Sequence, residues 1–374
     1  MYAPKYTITN NILKNVSMVD ACKEVIENAP IVPAYEKKFR EEALIRTVHH
    51  GTHIEGNDLS LEQAGKILVA AAGGETNAVQ AAEKSGVTAR ERDIQEVINY
   101  RNVMDYIDGV FEKADEEEGG GFSYSEAQIK RIHKLTVHRL IPEENQGVYR
   151  KTQVILRDSR TGEVTFRPPP AVEVPYLMED FVQWANNRES KEAHPVIRAG
   201  VAHYSLAAVH PFVDGNGRAA RAFATLVLFV EGYDIKKLFS LEEYFDRDAE
   251  KYYRTLINTS NQSGDLSDRD LTEWIEYFTS GLAIELARVK DRVRKLSVDT
   301  KIRLKRGQKV LLSERQIKIV EYVSENMRAR MGELKELFPM VSDDTVLREL
   351  QALCESGIIK KHGRTKGAYY ELAT

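Results

Sequence analysis

The 374-residue sequence predicts a mainly α-helical fold with one β-hairpin, followed by a small separate C-terminal unit. Three observations point there. Most of the chain reads as helices bounded by capping residues and glycine stops. One stretch, 153–167, is β-rich instead. From Ser313 onward the order is helix, helix, helix, hairpin.

Composition sets the frame. The apolar share is 42% and the net charge −4, which suits a chain with a real core and demands neither nucleic acid nor an anionic membrane. The two cysteines, Cys22 and Cys354, stand far apart, which excludes a disulfide framework or a zinc site and fits a cytoplasmic protein. No signal peptide is expected, because MYAPKYTITN lacks a basic start followed by an apolar run. The longest apolar stretch, 222–230, is far short of the ~20 residues that span a bilayer, so no membrane partner is expected.

An N-terminal helical region is expected over 1–110. A helix from about Pro33 to Glu55 stops at Gly56-Asn57. Ser60 and Gln63 form a capping box for the next helix. AAGGET (71–76) reads as a loop, and another helix covers roughly Thr88 to Lys113. The acidic, glycine-rich DEEEGGG (115–121) reads as a solvated loop. A second domain is expected over 111–297. Its hairpin, 153–167, joins QVILRD to EVTFR through Ser159-Arg160-Thr161-Gly162 and ends at Pro168-Pro169-Pro170. Helices follow at Val174–Asn186, Pro195–Val209 and Arg218–Glu231, the last closed by Gly232. The polar, basic stretch 298–309 reads as a linker. In 310–374, Ser313 caps a helix, Gly332–Phe338 is a second, and Ser342 caps a third that ends at Gly357. Strands Ile358–Lys361 and Ala368–Leu372 flank the turn HGRTKG. That order is the pattern of a winged helix-turn-helix.

The most informative segment is HPFVDGNGRAAR, His210 to Arg221. Pro211 ends one helix, Gly215-Asn216-Gly217 permits a tight turn, and a new helix starts at once. Backbone N–H groups then converge on a helix N-terminus, which is an anion site. Arg218 and Arg221 lie on one face and add two positive charges. Asp214 stands at the lip as a carboxylate for a divalent cation. Each element alone has an ordinary reading: a helix end, a turn, a solvated arginine pair. Together with a histidine they point to phosphoryl or nucleotidyl transfer.

The segment resembles the signature of the Fic family, His-x-Phe-x-Asp/Glu-Gly-Asn-Gly-Arg-x-x-Arg, at every defined position. The resemblance runs from about 30 to 290 and takes in GVYR (147–150), RPPP (167–170), VPYLMEDFVQWAN (174–186) and EYFDRDAEKYY (243–253). It implies a protein adenylyltransferase that moves AMP from ATP to a Ser, Thr or Tyr hydroxyl of a target protein or of itself. His210 would be the general base and Asp214 the Mg²⁺ ligand. Gly215, Asn216, Gly217, Arg218 and Arg221 would hold the phosphates, and Tyr252 and Tyr253 would pack the adenine. The hairpin 153–167 would be the flap that presents the target. A homodimer is also compatible with the resemblance.

Thr52-His53-Ile54-Glu55-Gly56-Asn57 resembles the family's inhibitory motif, Ser/Thr-x-x-x-Glu-Gly/Asn. The hydroxyl position is Gly51, with Thr52 beside it as the expected stand-in. Glu55, at the end of an inhibitory helix of about 33–56, would pair with Arg221 and withhold it from ATP. The same glutamate would serve an enzyme that removes AMP, or one that works in both directions. A different reading is a DNA-binding regulator whose Fic domain is silent or self-modifying. The basic turn Lys360–Lys366 favours DNA, whereas Asp343, Asp344, Glu349 and Glu355 on the presumed recognition helix oppose it and favour protein docking. His49, His50 and His53 have no carboxylate at ligand spacing, so a helix surface is expected for them. His194 and His203 are read as structural.

Overall fold

The computed structural model describes residues 2–29, 31, 33–72, 77–116, 122–157, 162–304, 312–339, 341–363 and 368–373. Helices α1 (Asn10–Glu27), α2 (Pro33–His53), α3 (Leu61–Ala70), α4 (Ala78–Ser85), α5 (Glu91–Glu116) and α6 (Glu126–Thr136) come first. A short hairpin follows, β1 (Leu156–Arg157) and β2 (Val164–Phe166). Then come α7 (Val174–Asn186), α8 (Arg188–Glu192), α9 (Pro195–Val209), α10 (Asn216–Leu228), α11 (Leu241–Arg247), α12 (Ala249–Ser260) and α13 (Thr272–Leu304). The chain ends with α14 (Glu314–Asn326), β3 (Ala329–Arg330), α15 (Met331–Glu336), α16 (Asp343–Glu355), β4 (Ile359–His362) and β5 (Tyr369–Leu372). The architecture is therefore largely α-helical, with one small hairpin and one small separate sheet. Contacts divide it into two compact units, Met1–Glu24 with Glu41–Arg288, and Val25–Arg40 with Val289–Thr374.

Local chemistry sets many boundaries. Ser60, Asn77, Ser125 and Ser313 each accept from a backbone N–H three residues on, and a glutamine there reaches back. These reciprocal capping boxes satisfy donors that a helix start leaves unpaired. The first unit is centred on α9 and α10, which are buried on nearly every face. A helix apolar all round belongs inside a protein. The two pack on each other, with α5 and α6 against α10, and α7 and α12 against α9.

The hairpin is shorter than expected from 153–167. Leu156 pairs with Phe166 and Arg157 with Val164, with an irregular register between them. Phe166 is buried and anchors β2. Turn residues Ser159, Arg160 and Thr161 lie outside the described residues, as do 73–76, 117–121 and 364–367 of the expected loops. The linker expected over 298–309 is helical as far as Leu304, because α13 runs on through it. Lys301, Arg303 and Leu304 favour a helix, and no glycine intervenes before Gly307. Residues 305–309 lie outside the described residues.

In the second unit one apolar cluster gathers Ile319, Val323, Leu334, Leu350, Leu353 and Tyr370 from α14, α15, α16 and β5. Its antiparallel sheet has the order β3-β5-β4. Cys22 and Cys354 are free. Among the described residues, no helix is long and apolar enough to cross a membrane, and no cluster of His, Cys, Asp and Glu is arranged to hold a metal.

Candidate active site

The site begins where α9 stops. His210 takes a left-handed conformation, φ 52° and ψ 57°, which is uncommon for a residue with a side chain and clusters at functional positions. Pro211 blocks further helix. Asn216 then closes the turn from inside. Its Oδ1 accepts the Phe212 N–H at 2.9 Å, and its Nδ2 donates to the Phe212 carbonyl at 2.9 Å. The expected phosphate-binding amide of Asn216 is therefore committed to loop shape. Gly215 has φ 74°, and a Cβ there would lie 2.6 Å from Val137 Cγ1. Both backbone and space require glycine.

His133 braces the loop from α6. Its ring stacks on Phe212 at 3.7 Å between centroids. Its Nδ1 accepts the Gly147 N–H at 2.9 Å, so Nε2 carries the proton and donates to the Asp214 carbonyl at 2.9 Å. Burial pushes its pKa down to about 4 and keeps it neutral. Arg150, of GVYR, ties in the other side. Its N–H donates to the Pro211 carbonyl at 2.9 Å and its Nε to the His210 carbonyl at 2.8 Å.

The reactive groups rest on this frame. The His210 Nδ1–H donates to the Ala207 carbonyl at 3.2 Å, which leaves Nε2 as the basic nitrogen. Burial pushes the imidazole pKa down to about 4, partly offset by that hydrogen bond and by Glu55. The Asp214 side chain is 44% exposed. Its Oδ1 accepts the Gly215 N–H at 2.6 Å. A carboxylate at a wet lip suits a hard divalent cation. Arg218 is 3% exposed; its Nε and Nη1 make no hydrogen bond, and Nη1 stands 3.3 Å from the buried carboxylate of Glu96 on α5. A buried guanidinium whose Nε makes no hydrogen bond can still take an anion.

Arg221 is also buried, but it is held. Its Nη2 donates to Glu55 Oε1 at 2.9 Å and to the Gly51 carbonyl at 2.8 Å. Burial opposes its charge, yet Glu55 together with Tyr252 and Tyr100 keeps its pKa well above the usual value. A side chain at Gly217 would collide with the Glu55 carboxylate, which therefore lies over the first turn of α10. There it faces the positive end of the helix.

The hydroxyl role expected of Thr52 is filled otherwise. Thr52 Oγ1 turns back to the Val48 and His49 carbonyls, both at 3.0 Å. The backbone carbonyl of Gly51 meets Arg221 instead. Position 51 has no room for a side chain, because a Cβ would lie 2.5 Å from Tyr100 Cε1. Tyr252 lies beside the site, but its ring is 1% exposed and stacks on Phe245 at 4.8 Å. Its hydroxyl is shared between His203 Nε2 at 3.0 Å and Arg221 Nη1 at 3.5 Å, so it presents no open face to a base. Tyr253 is 36% exposed and donates to the Ile54 carbonyl at 3.1 Å.

Two of the three histidines of α2 do find a carboxylate, whereas His49 is buried and does not lie on the helix surface expected of it. Asp246 of α11 meets His50 Nδ1 at 2.7 Å and His53 Nδ1 at 2.8 Å. The structure thus brings His210, Asp214, Asn216, Arg218, Arg221 and Glu55 together. It adds Gly51, Glu96, Arg150 and His133, of which Arg150 had a sequence signal in GVYR and Gly51 stood at the hydroxyl position of the inhibitory motif. A cleft of about 620 Å³ lies beside the hairpin, lined by 164–170, Ser260, Asn261 and Arg269.

Residues 123–228 match the model of the Fic/DOC family, so a Fic-family domain is present. The chain is 29% identical over 221 residues to the protein adenylyltransferase Fic of Culex quinquefasciatus, covering 59% of this chain and 39% of that protein. It thus spans less than half of that relative. Among solved structures, a Fic family protein from Desulfovibrio desulfuricans superposes with a TM-score of 0.61 at 24% identity, over 99% of this chain and 98% of the other. A Fic domain containing signaling protein from Bacteroides thetaiotaomicron gives 0.59 at 24% identity, over 76% and 96%. These two similarities bear on the fold.

Proposed function

We propose that this protein is an adenylyltransferase that moves AMP from ATP to a Ser, Thr or Tyr hydroxyl of a target protein or of itself. One observation carries the reading: a single loop gathers an oriented imidazole, an exposed carboxylate and a buried guanidinium whose Nε makes no hydrogen bond. The target hydroxyl gives its proton to His210 Nε2 as its oxygen attacks the α-phosphorus. The bond to pyrophosphate breaks and pyrophosphate leaves. Arg218 and the first turn of α10 hold phosphate oxygens against fixed positive charge. Asp214 is the residue that would hold Mg²⁺, which neutralises charge on the phosphates. The hairpin edge and the cleft beside it take an extended target segment by strand addition.

In this reading the described state is the restrained one. Glu55 occupies Arg221 and the helix end that ATP needs, so α2 acts as an inhibitory helix. Because that carboxylate lies over the phosphate-binding turn, a second reading has it orient a water that removes AMP from the modified target. The C-terminal unit, with three helices and a basic β4–β5 turn, reads as a winged helix-turn-helix. Lys335 pairs with Asp343 and Arg315 with Glu349, which offsets part of the acidity of α16. Salt-dependent duplex binding by the full chain is the test of a DNA role.

Transfer of α-labelled ATP to protein with Mg²⁺ tests the main reading. Label should rise with Glu55→Gly and fall by roughly 10²–10⁴ when His210→Ala is added. Labelling that survives His210→Ala would overturn it. Loss of label from a pre-modified target that depends on Glu55 would favour the removal reading.

A further inference from the structure

A buried carboxylate stands behind the loop, unused by the transfer chemistry or by the Glu55 pair. Glu96, on α5, is 5% exposed. Its Oε1 accepts from Arg92 Nε at 3.2 Å and lies 3.3 Å from Arg218 Nη1. Its Oε2 accepts from Asn57 Nδ2 at 3.0 Å, two residues beyond Glu55. The same two arginines flank Asp214. Arg92 Nη2 is 3.6 Å from Asp214 Oδ2, and Arg218 Nη2 is 3.8 Å from Oδ1. Those two separations exceed a good hydrogen bond. Two cations thus share two carboxylates, and the shorter contacts go to Glu96.

The burial difference explains the division. Charges attract more strongly where water is excluded, so Glu96 outcompetes the half-exposed Asp214. Without the Glu96 charge, both guanidiniums would have Asp214 as the nearest carboxylate. A carboxylate engaged by a guanidinium fork has fewer free lone pairs for a metal, and the adjacent positive charge repels one.

We propose that Glu96 is a positioning residue that holds Arg92 and Arg218 off Asp214 and so keeps Asp214 open to a divalent cation, with Arg92 the exposed competitor for it. This rests on reading Asp214 as the metal carboxylate. It gives the two members of one ion pair opposite effects, which a purely structural role does not.

The experiment is calorimetric titration of ATP into the full chain carrying Glu55→Gly, at graded Mg²⁺ and with Mg²⁺ chelated. Glu96→Gln keeps the shape, removes the charge, and should raise the Mg²⁺ needed for half-maximal tightening of ATP by about 10-fold. Affinity for metal-free ATP should not fall. Glu96→Asp keeps the charge and should recover most of the shift. Arg92→Ala, at a side chain 62% exposed, should lower the Mg²⁺ requirement by about threefold and leave the fold intact. Shifts of the same sign for Glu96→Gln and Arg92→Ala would overturn the proposal. So would a Glu96→Gln defect that is equal with and without Mg²⁺. If the Glu55→Gly parent itself bound no ATP, the transferase reading would fail and the proposal with it.

Discussion

Position 51 joins packing to chemistry in one residue. Its missing side chain makes room for Tyr100, and its carbonyl accepts from Arg221. Gly51→Ala is expected to destabilise the protein by about 1–3 kcal/mol through overpacking. Chemical denaturation would read that loss, and adding Tyr100→Ala should relieve the clash. At His210, burial favours the neutral ring, so the basic form persists far below the usual histidine pKa. Transfer by the Glu55→Gly form should hold its rate as pH falls through 6.5 and on to about 4, the value with Glu55 in place. Since Glu55 itself raises this pKa, its removal moves the acid limb lower still. An acid limb near 6.5 in the pH–rate profile would show that the base is water-exposed or is another group.

At the scale of elements, the last turn of α2 is fastened through His50 and His53 to Asp246 on α11. Burial pushes the Asp246 carboxyl up, but the two histidines pull it down further, and the net pKa lies below the usual value. A depressed carboxyl adds stability above its unfolded pKa of 3.8, and that stability is lost as pH falls through the lower folded value. Asp246→Asn should loosen the turn that carries Glu55, speeding amide exchange over 50–56 by roughly 10-fold. Unchanged exchange would assign the tether elsewhere. The sequence showed the three histidines but not this partner, which lies 196 and 193 residues away. Helix ends were legible because caps act within four residues: Ser60, Ser313 and Ser342 stand where expected. The loop 210–221 was legible because its chemistry is contiguous. Glu96 and His133 act across elements, and nothing in their own neighbourhoods marks them; Gly51 stood in the inhibitory motif, but its packing against Tyr100 is non-local. The extension of α13 to Leu304 was hidden because polarity alone suggested a linker.

For the whole molecule, the apolar cluster of the second unit draws on residues from Ile319 to Tyr370. A core contained within so short a stretch should fold without the remainder, though about 60 residues leave little margin. Residues 312–374 made alone are expected to melt cooperatively at modest temperature, as followed by circular dichroism. A broad, non-cooperative transition would show that this unit needs the rest of the chain. The two-unit division also predicts that Asp246→Asn leaves the melting of this fragment's counterpart in the full chain unchanged.

The Arg221–Glu55 pair has a consequence for inheritance. Removing Glu55 leaves the Arg221 charge, 2% exposed, without its carboxylate, which lowers stability even though Glu55 itself is partly open to water. If Glu55 restrains the site as proposed, a lineage that loses it would gain an unrestrained site together with a less stable chain, one more readily cleared by proteases when nucleotide is scarce. Selection would then act on the glutamate twice over, once for restraint and once for persistence of the protein. Permanently active descendants would have to acquire a stabilising change elsewhere first.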